Sequence, residues 1–106
     1  MKQILRTTAL IAVLMPGAAL AGDAAEGAEI AAENCAHCHD IAAGGAFKTY
    51  PPSFASIGTY RAEDQIRSRI WFPALHTPMP PGTYLLNNDM VDDLVAYIMS
   101  LDGTAQ

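Results

Sequence analysis

The residues Cys35–His39, with the sequence CAHCH, place the strongest constraint on what this chain can fold into. The pattern C-x-x-C-H is the attachment sequence of a c-type haem. Two cysteines three residues apart lie on one side of a helical turn, so both thiols can reach the two vinyl groups on one porphyrin edge. The next residue presents an imidazole nitrogen to the iron. The motif therefore predicts one covalent haem c per chain, attached through Cys35 and Cys38, with His39 as the proximal ligand.

The same residue types allow one alternative, a structural zinc site. Cys35, Cys38 and a pair drawn from the three histidines His37, His39 and His76 would give a tetrahedral ligand set. His39 directly adjoins Cys38, however, and that spacing suits a porphyrin face better than a closed zinc shell. Haem is therefore the preferred interpretation.

The first 21 residues are predicted to be a secretory signal peptide. Two basic residues precede an apolar run at 9–15, and residues 19–21, with the sequence ALA, form a small-x-small cleavage site. The run is too short for a transmembrane anchor. We therefore expect cleavage before Gly22, export to the periplasm, no stable membrane insertion and a single domain over residues 22–106.

This mature domain is small for a protein that must build its own core. Chains of such length often need a disulfide, a metal or a cofactor to be stable. The only two cysteines are three residues apart, and a disulfide between them would close a negligible loop. A covalent haem would supply the missing interior instead.

The mature domain is also acidic. Of 6 Lys and Arg and 11 Asp and Glu, only two basic residues are lost with the signal peptide, which leaves a net charge of −7. This balance argues against binding to nucleic acid or to an anionic membrane surface. It favours a redox partner protein with a basic docking patch and an encounter rate that falls as salt rises. Acidity that only keeps an exported protein in solution is an equal alternative.

The hydrophobic periodicity and the capping residues predict an all-α chain. Asp23 is the expected N-cap of a first helix that runs into the cysteines, with Glu26 reaching back to complete a capping box. A second helix is expected over residues 62–72, before a proline. Asn87 is the expected N-cap of a last helix over residues 88–101.

Between the first two helices, Pro51 and Pro52 interrupt the chain. Neither has a backbone N–H, and their carbonyl groups are free to accept hydrogen bonds. Either one can accept from Nδ1–H of His39, which would fix the tautomer of the imidazole and raise its basicity as a ligand. The apolar residues 53–57 that follow predict only a short turn, closed by Gly58.

The distal ligand of the iron is sought in residues 75–82, with the sequence LHTPMPPG. Residues that precede proline are restricted to extended conformations, so Met79 loses little conformational freedom when its thioether binds iron. His76 is the rival, because imidazole is the stronger ligand and would lower the reduction potential. The proline flanks favour Met79. Trp71 either packs in the core or donates its indole N–H to a haem propionate.

A six-coordinate iron leaves no room for a substrate. The expected function is therefore one-electron transfer, and the protein is not expected to be an enzyme. A peroxidase would need an open iron and distal acid–base groups. A sensor of nitric oxide or carbon monoxide would need a Met79 that the gas displaces, and nothing in the sequence requires that.

Over residues 27–101 the chain resembles the class I cytochromes c, and in particular the small monohaem cytochromes of the bacterial periplasm. The resemblance rests on CAHCH at 35–39, PPSF at 51–54, HTPMP at 76–80 and DLVAYIMSL at 93–101. It implies three to four helices wrapped around one haem, with the first and last helices crossing near its edge. An exposed haem edge would then be the electron port.

The resemblance also implies roles for single residues. It makes His39 and Met79 the axial ligands and Pro52 the acceptor for the proximal histidine. The chain departs from the family pattern at Ala31, because an aromatic residue often stands four positions before the first cysteine. Tyr97 is expected to compensate for this smaller side chain.

Overall fold

The computed structural model describes residues 22–45, 50–75 and 77–103. Their regular elements are α1 (Ala24–Asn34), α2 (Phe54–Tyr60), α3 (Glu63–Trp71), the 3-10 helix η1 (Gly82–Tyr84) and α4 (Asn88–Ser100). Helices are the only regular structure in these ranges, which confirms the predicted all-α fold. None of these helices has the length and apolar character needed to cross a membrane. The predicted signal peptide, residues 1–21, and the rival ligand His76 lie outside the described residues.

Side chains cap the N-termini of α1 and α4 at the predicted residues. The Asp23 carboxylate accepts from two backbone N–H groups of the first turn of α1, at 2.9 and 3.3 Å. Asn87 accepts from the backbone N–H of Met90 at 3.0 Å. The expected return contact from Glu26 is wrong, because the backbone N–H of Asp23 donates instead to Oδ1 of Asp93 on α4, at 2.7 Å. The beginning of α1 is therefore stabilised by the helix at the other end of the chain.

Two glycines allow other helices to approach α4 closely. An ideal Cβ atom at Gly27 of α1 would lie 2.0 Å from the carbonyl oxygen of Asp93, and one at Gly58 of α2 would lie 2.2 Å from that of Ile98. The predicted stop at Gly58 is therefore wrong: α2 continues to Tyr60, and the glycine serves the contact with α4. Around these crossings lie the buried apolar side chains of the core, Ile30, Ala31, Phe54, Ile66, Ile70, Val91, Leu94, Val95 and Ile98.

Helix α3 is one residue shorter at each end than the predicted range 62–72. Its N-cap residue, Ala62, has no side-chain acceptor, and its backbone N–H donates to Oε1 of Gln65 at 3.0 Å. On the side that faces α4, Arg67 forms an ion pair with Asp92. This pair and the buried isoleucines attach α3 to the last helix.

Candidate functional site

The CAHCH segment forms a turn that continues directly from α1. The backbone N–H groups of Cys35 and Ala36 both donate to the carbonyl of Ala31, at 2.9 and 3.0 Å. Those of Cys38 and His39 both donate to the carbonyl of Cys35, at 3.2 and 2.9 Å. The helical path of α1 thus brings both cysteines and the histidine into one compact turn.

The two cysteines of this turn are free thiols in different surroundings. Cys35 is half-buried and Cys38 is exposed. Burial raises the pKa of the Cys35 thiol from 9.0 to about 11. Burial therefore stabilises the thiol form of Cys35 relative to the thiolate.

Residues 22–45, 50–75 and 77–103 contain no group of three His, Cys, Asp or Glu side chains placed to hold a metal ion. The turn thus offers two separate thiols, and the described residues provide no closed zinc shell around them.

The imidazole of His39 is held in one tautomer. Its Nδ1 lies 2.7 Å from the carbonyl oxygen of Pro52. A carbonyl oxygen can only accept, so Nδ1 carries the proton and donates. Nε2 is then the nitrogen with a free lone pair, which is the form that binds a metal. Of the two carbonyls that the sequence left open, the structure places that of Pro52, and not that of Pro51, on His39.

Phe54 packs against the same imidazole. The two ring centroids are 5.3 Å apart, with 51° between the ring planes, and only 3% of Phe54 is exposed. The backbone N–H of Phe54 also donates to the carbonyl of Asp40 at 2.9 Å. Residues 52–54 therefore hold the turn after Cys38 at the backbone, at Nδ1 and at the imidazole ring.

A further contact comes from α4. The hydroxyl of Tyr97 donates to the carbonyl of Ile41 at 2.6 Å, and its ring lies 6.4 Å from that of Phe54. The sequence predicted Tyr97 as a compensation for Ala31, and it predicted residues 53–57, which include Phe54, only as a short apolar turn. Both residues lie in segments on which the family resemblance rests, Tyr97 in DLVAY at 93–97 and Phe54 in PPSF at 51–54. The residues that Tyr97 and Phe54 contact depend on the fold, so these segments alone could not predict them.

The other two predicted site residues are Trp71, in α3, and Met79, in the connection from α3 to α4. Met79 is half-buried in a stretch without regular structure that leads into η1. Trp71 is the half-buried last residue of α3, and a Cβ atom at Gly82 would lie 3.3 Å from Cε3 of its indole. The structure thus brings Cys35, Cys38, His39 and Pro52 together, and it places Trp71 at the end of α3 and Met79 on the connection that follows.

The α3–α4 connection also exposes an unusual amount of apolar surface. Six large hydrophobic side chains are exposed among the described residues, and four of these fall between residues 72 and 85. Their exposed fractions run from 53% to 88%, so most of the large exposed hydrophobic side chains of the described residues belong to this connection. They are Phe72, Leu75, Tyr84 and Leu85.

These observations fit haem c better than a metal ion alone. The turn supplies two free thiols and an imidazole with an available Nε2, and the α3–α4 connection supplies a thioether and apolar side chains. An all-helical fold with this combination defines a c-type cytochrome.

Comparison with known proteins agrees with this class. Residues 24–102 match the family model described as cytochrome c, and the chain belongs to that family. It carries haem c, for which Cys35 and Cys38 supply the attachment motif, and members of the family are typically electron carriers. The chain is 40% identical over 86 residues to cytochrome c-552 of Bradyrhizobium diazoefficiens, a match that covers 78% of this chain and 79% of that protein. No solved structure matches at a significant level.

Proposed function

We propose that this chain is a monohaem one-electron carrier of the bacterial periplasm, with His39 and Met79 as the axial ligands of its haem. The hydrogen bond from Nδ1 of His39 to the carbonyl of Pro52 is the observation that carries the proposal. It leaves Nε2 available and fixes the tautomer and orientation of the imidazole, as is usual for a histidine that binds a metal.

Each remaining site residue has a defined task in this proposal. Cys35 and Cys38 would hold the macrocycle through thioether bonds, and Met79 would supply a neutral, weak ligand to its iron. Trp71 donates its indole N–H to a propionate, a role supported by its place at the end of α3 beside η1. When bound, haem c supplies a single reversible electron exchange at its iron. With both axial positions filled, no site is left for a substrate, so the protein is not an enzyme.

The proposal includes export and a partner of opposite charge. Residues 1–21 are a signal peptide cleaved before Gly22, and residues 22–106 form the mature domain with 11 acidic side chains. A redox partner with a basic docking patch would be attracted to this surface, and added salt would slow the encounter. Stopped-flow reduction by such a partner should therefore slow as ionic strength rises, and a rate that ignores salt would contradict this docking mode.

Absorption spectroscopy of the purified exported protein tests the haem and its ligands. We expect the sharp α-band of a reduced low-spin haem, unchanged by carbon monoxide, and the weak charge-transfer band of sulfur-ligated ferric haem. Met79→Ala should abolish that band. Met99→Leu, which changes a half-buried methionine of α4, should retain it. A band that survives in Met79→Ala would show that Met79 is not the ligand. A ferrous spectrum that carbon monoxide readily changes would favour a gas sensor.

A further inference from the structure

Each of the three residues after Cys38 shares one hydrogen bond with a distant part of the chain. Two of these bonds are to residues 52–54, and the third is to α4. Because the three residues are consecutive, their bonds act together on the backbone that carries the proximal imidazole. The bonds are His39 Nδ1 to Pro52 O at 2.7 Å, Phe54 N–H to Asp40 O at 2.9 Å and Tyr97 O–H to Ile41 O at 2.6 Å.

Tyr97 acts on this segment in two ways. Its hydroxyl holds Ile41, two residues beyond His39. Its ring lies against Phe54, whose other neighbour is the imidazole of His39, with centroid distances of 6.4 and 5.3 Å. Phe54 is therefore held between Tyr97 and the proposed iron ligand.

The position of Tyr97 is itself fixed by the packing of α1 on α4. A Cβ atom at Gly27 would lie 2.8 Å from Cβ of Tyr97 and 2.0 Å from the carbonyl oxygen of Asp93. The backbone of α4 at Tyr97 thus has little freedom to shift relative to α1. Because the Tyr97 side chain contacts Ile41 and Phe54, a fixed α4 also limits the movement of the turn that carries His39.

We propose that Tyr97 is a positioning residue for His39, and that its hydroxyl and ring together set the orientation and solvent shielding of the axial imidazole. The inference rests on the proposed role of His39 as iron ligand. It assigns to α4, which contributes no ligand in that proposal, an indirect influence on the reduction potential through Ile41 and Phe54.

The expected direction of that influence follows from electrostatics. Oxidised haem carries one more positive charge than reduced haem, and water stabilises that charge. The hydrophobic shell around a metal site limits the access of water and so affects the potential. Loss of the Tyr97 hydrogen bond frees Ile41 and relaxes the support of Phe54 on the imidazole. Water then reaches the proximal side more easily, and the potential falls.

Three variants of the holoprotein test this inference. Tyr97→Phe removes only the hydroxyl and keeps the ring, whereas Tyr97→Leu removes both. Ser100→Ala is the matched control, because it removes a hydroxyl from the same helix whose hydrogen bond, at 2.6 Å, goes to the backbone of Tyr97 and not to residues 39–41. The midpoint potential, the g-values of the ferric low-spin haem and the melting temperature would be measured for each.

We expect the midpoint potential to fall in Tyr97→Phe and to fall further in Tyr97→Leu, with altered g-values, while Ser100→Ala keeps the wild-type potential. A lower melting temperature with unchanged potential and g-values in both Tyr97 variants would overturn the inference and leave Tyr97 a purely structural residue. Failure of the axial assignment is a separate result: the wild-type protein would then lack the low-spin signature of histidine ligation before any Tyr97 variant is compared.

Discussion

Replacing Gly27 with alanine tests the packing of α1 on α4 directly. The added Cβ atom would lie 2.0 Å from the carbonyl oxygen of Asp93 and 2.6 Å from its carbonyl carbon. Both are backbone atoms, so no side-chain rotation can relieve the overlap. To raise the first distance to the 3.4 Å of ordinary contact, the two helices would have to separate by about 1.4 Å.

Two opposing terms give the size of the effect. Alanine is favoured over glycine inside a helix by about 1 kcal/mol, so α1 alone would be stabilised. Overpacking costs about 1–3 kcal/mol, and a clash with rigid backbone belongs at the upper end of that range, about 3 kcal/mol. The free energy of unfolding should therefore fall by about 2 kcal/mol, which lowers the melting temperature of a domain this small by about 8–16 °C.

Thermal unfolding of the holoprotein, followed by circular dichroism and by the haem absorption, measures this change. Gly103→Ala is the control, because the nearest atom to a Cβ there is Oγ1 of Thr59 at 3.7 Å, an ordinary contact. It should change stability by less than about 0.5 kcal/mol. If Gly27→Ala melts at the wild-type temperature or above it, then helix propensity has outweighed the clash and the two helices do not approach as closely as described.

Three further substitutions have defined outcomes. Asp23→Ala removes the side-chain cap of α1 and should lower the free energy of unfolding by about 1 kcal/mol, seen as a lower melting temperature. Asp23→Asn should retain most of the stability, and an equal loss in both variants would contradict a capping role. Ser53→Ala leaves the buried N–H of Ser56 without its acceptor. The free energy of unfolding measured in urea should fall by about 1–2 kcal/mol. No change in that free energy would mean that the Ser53 hydroxyl does not cap α2. Arg67→Met breaks the ion pair with Asp92, in which the arginine side chain is 38% exposed and the aspartate side chain 47% exposed. The free energy of unfolding should fall by less than about 1 kcal/mol, and by still less in high salt. A fall of more than about 2 kcal/mol would point to a far less solvated pair.

Local signals in the sequence were enough to predict the beginnings of α1 and α4 and the cofactor. Asp23 and Asn87 act through hydrogen bonds to N–H groups two or three residues away, so their neighbours in sequence decide their role. The C-x-x-C-H spacing likewise depends on a single turn. The all-α class follows from the same short-range information, because hydrophobic periodicity and caps agree over each long helix.

Contacts between residues far apart in the chain could not be predicted in this way. Gly58 looks like a helix stop, but it lies inside α2 because the carbonyl of Ile98 occupies the space that a side chain would need. The backbone N–H of Asp23 finds Asp93 and not Glu26, since α4 brings a carboxylate within 2.7 Å. Tyr97 and Ile41 are 56 residues apart, and no local sequence pattern predicts the hydrogen bond between them.

The most extensive helix packing in the described residues joins α1 and α4, which stand at opposite ends of the domain. Because a ribosome releases a polypeptide from its amino end, Cys35 and Cys38 emerge while the closing helix is still untranslated. A fragment that stops before residue 88 keeps both cysteines but lacks α4, so the core that α1 builds against α4 cannot form in it.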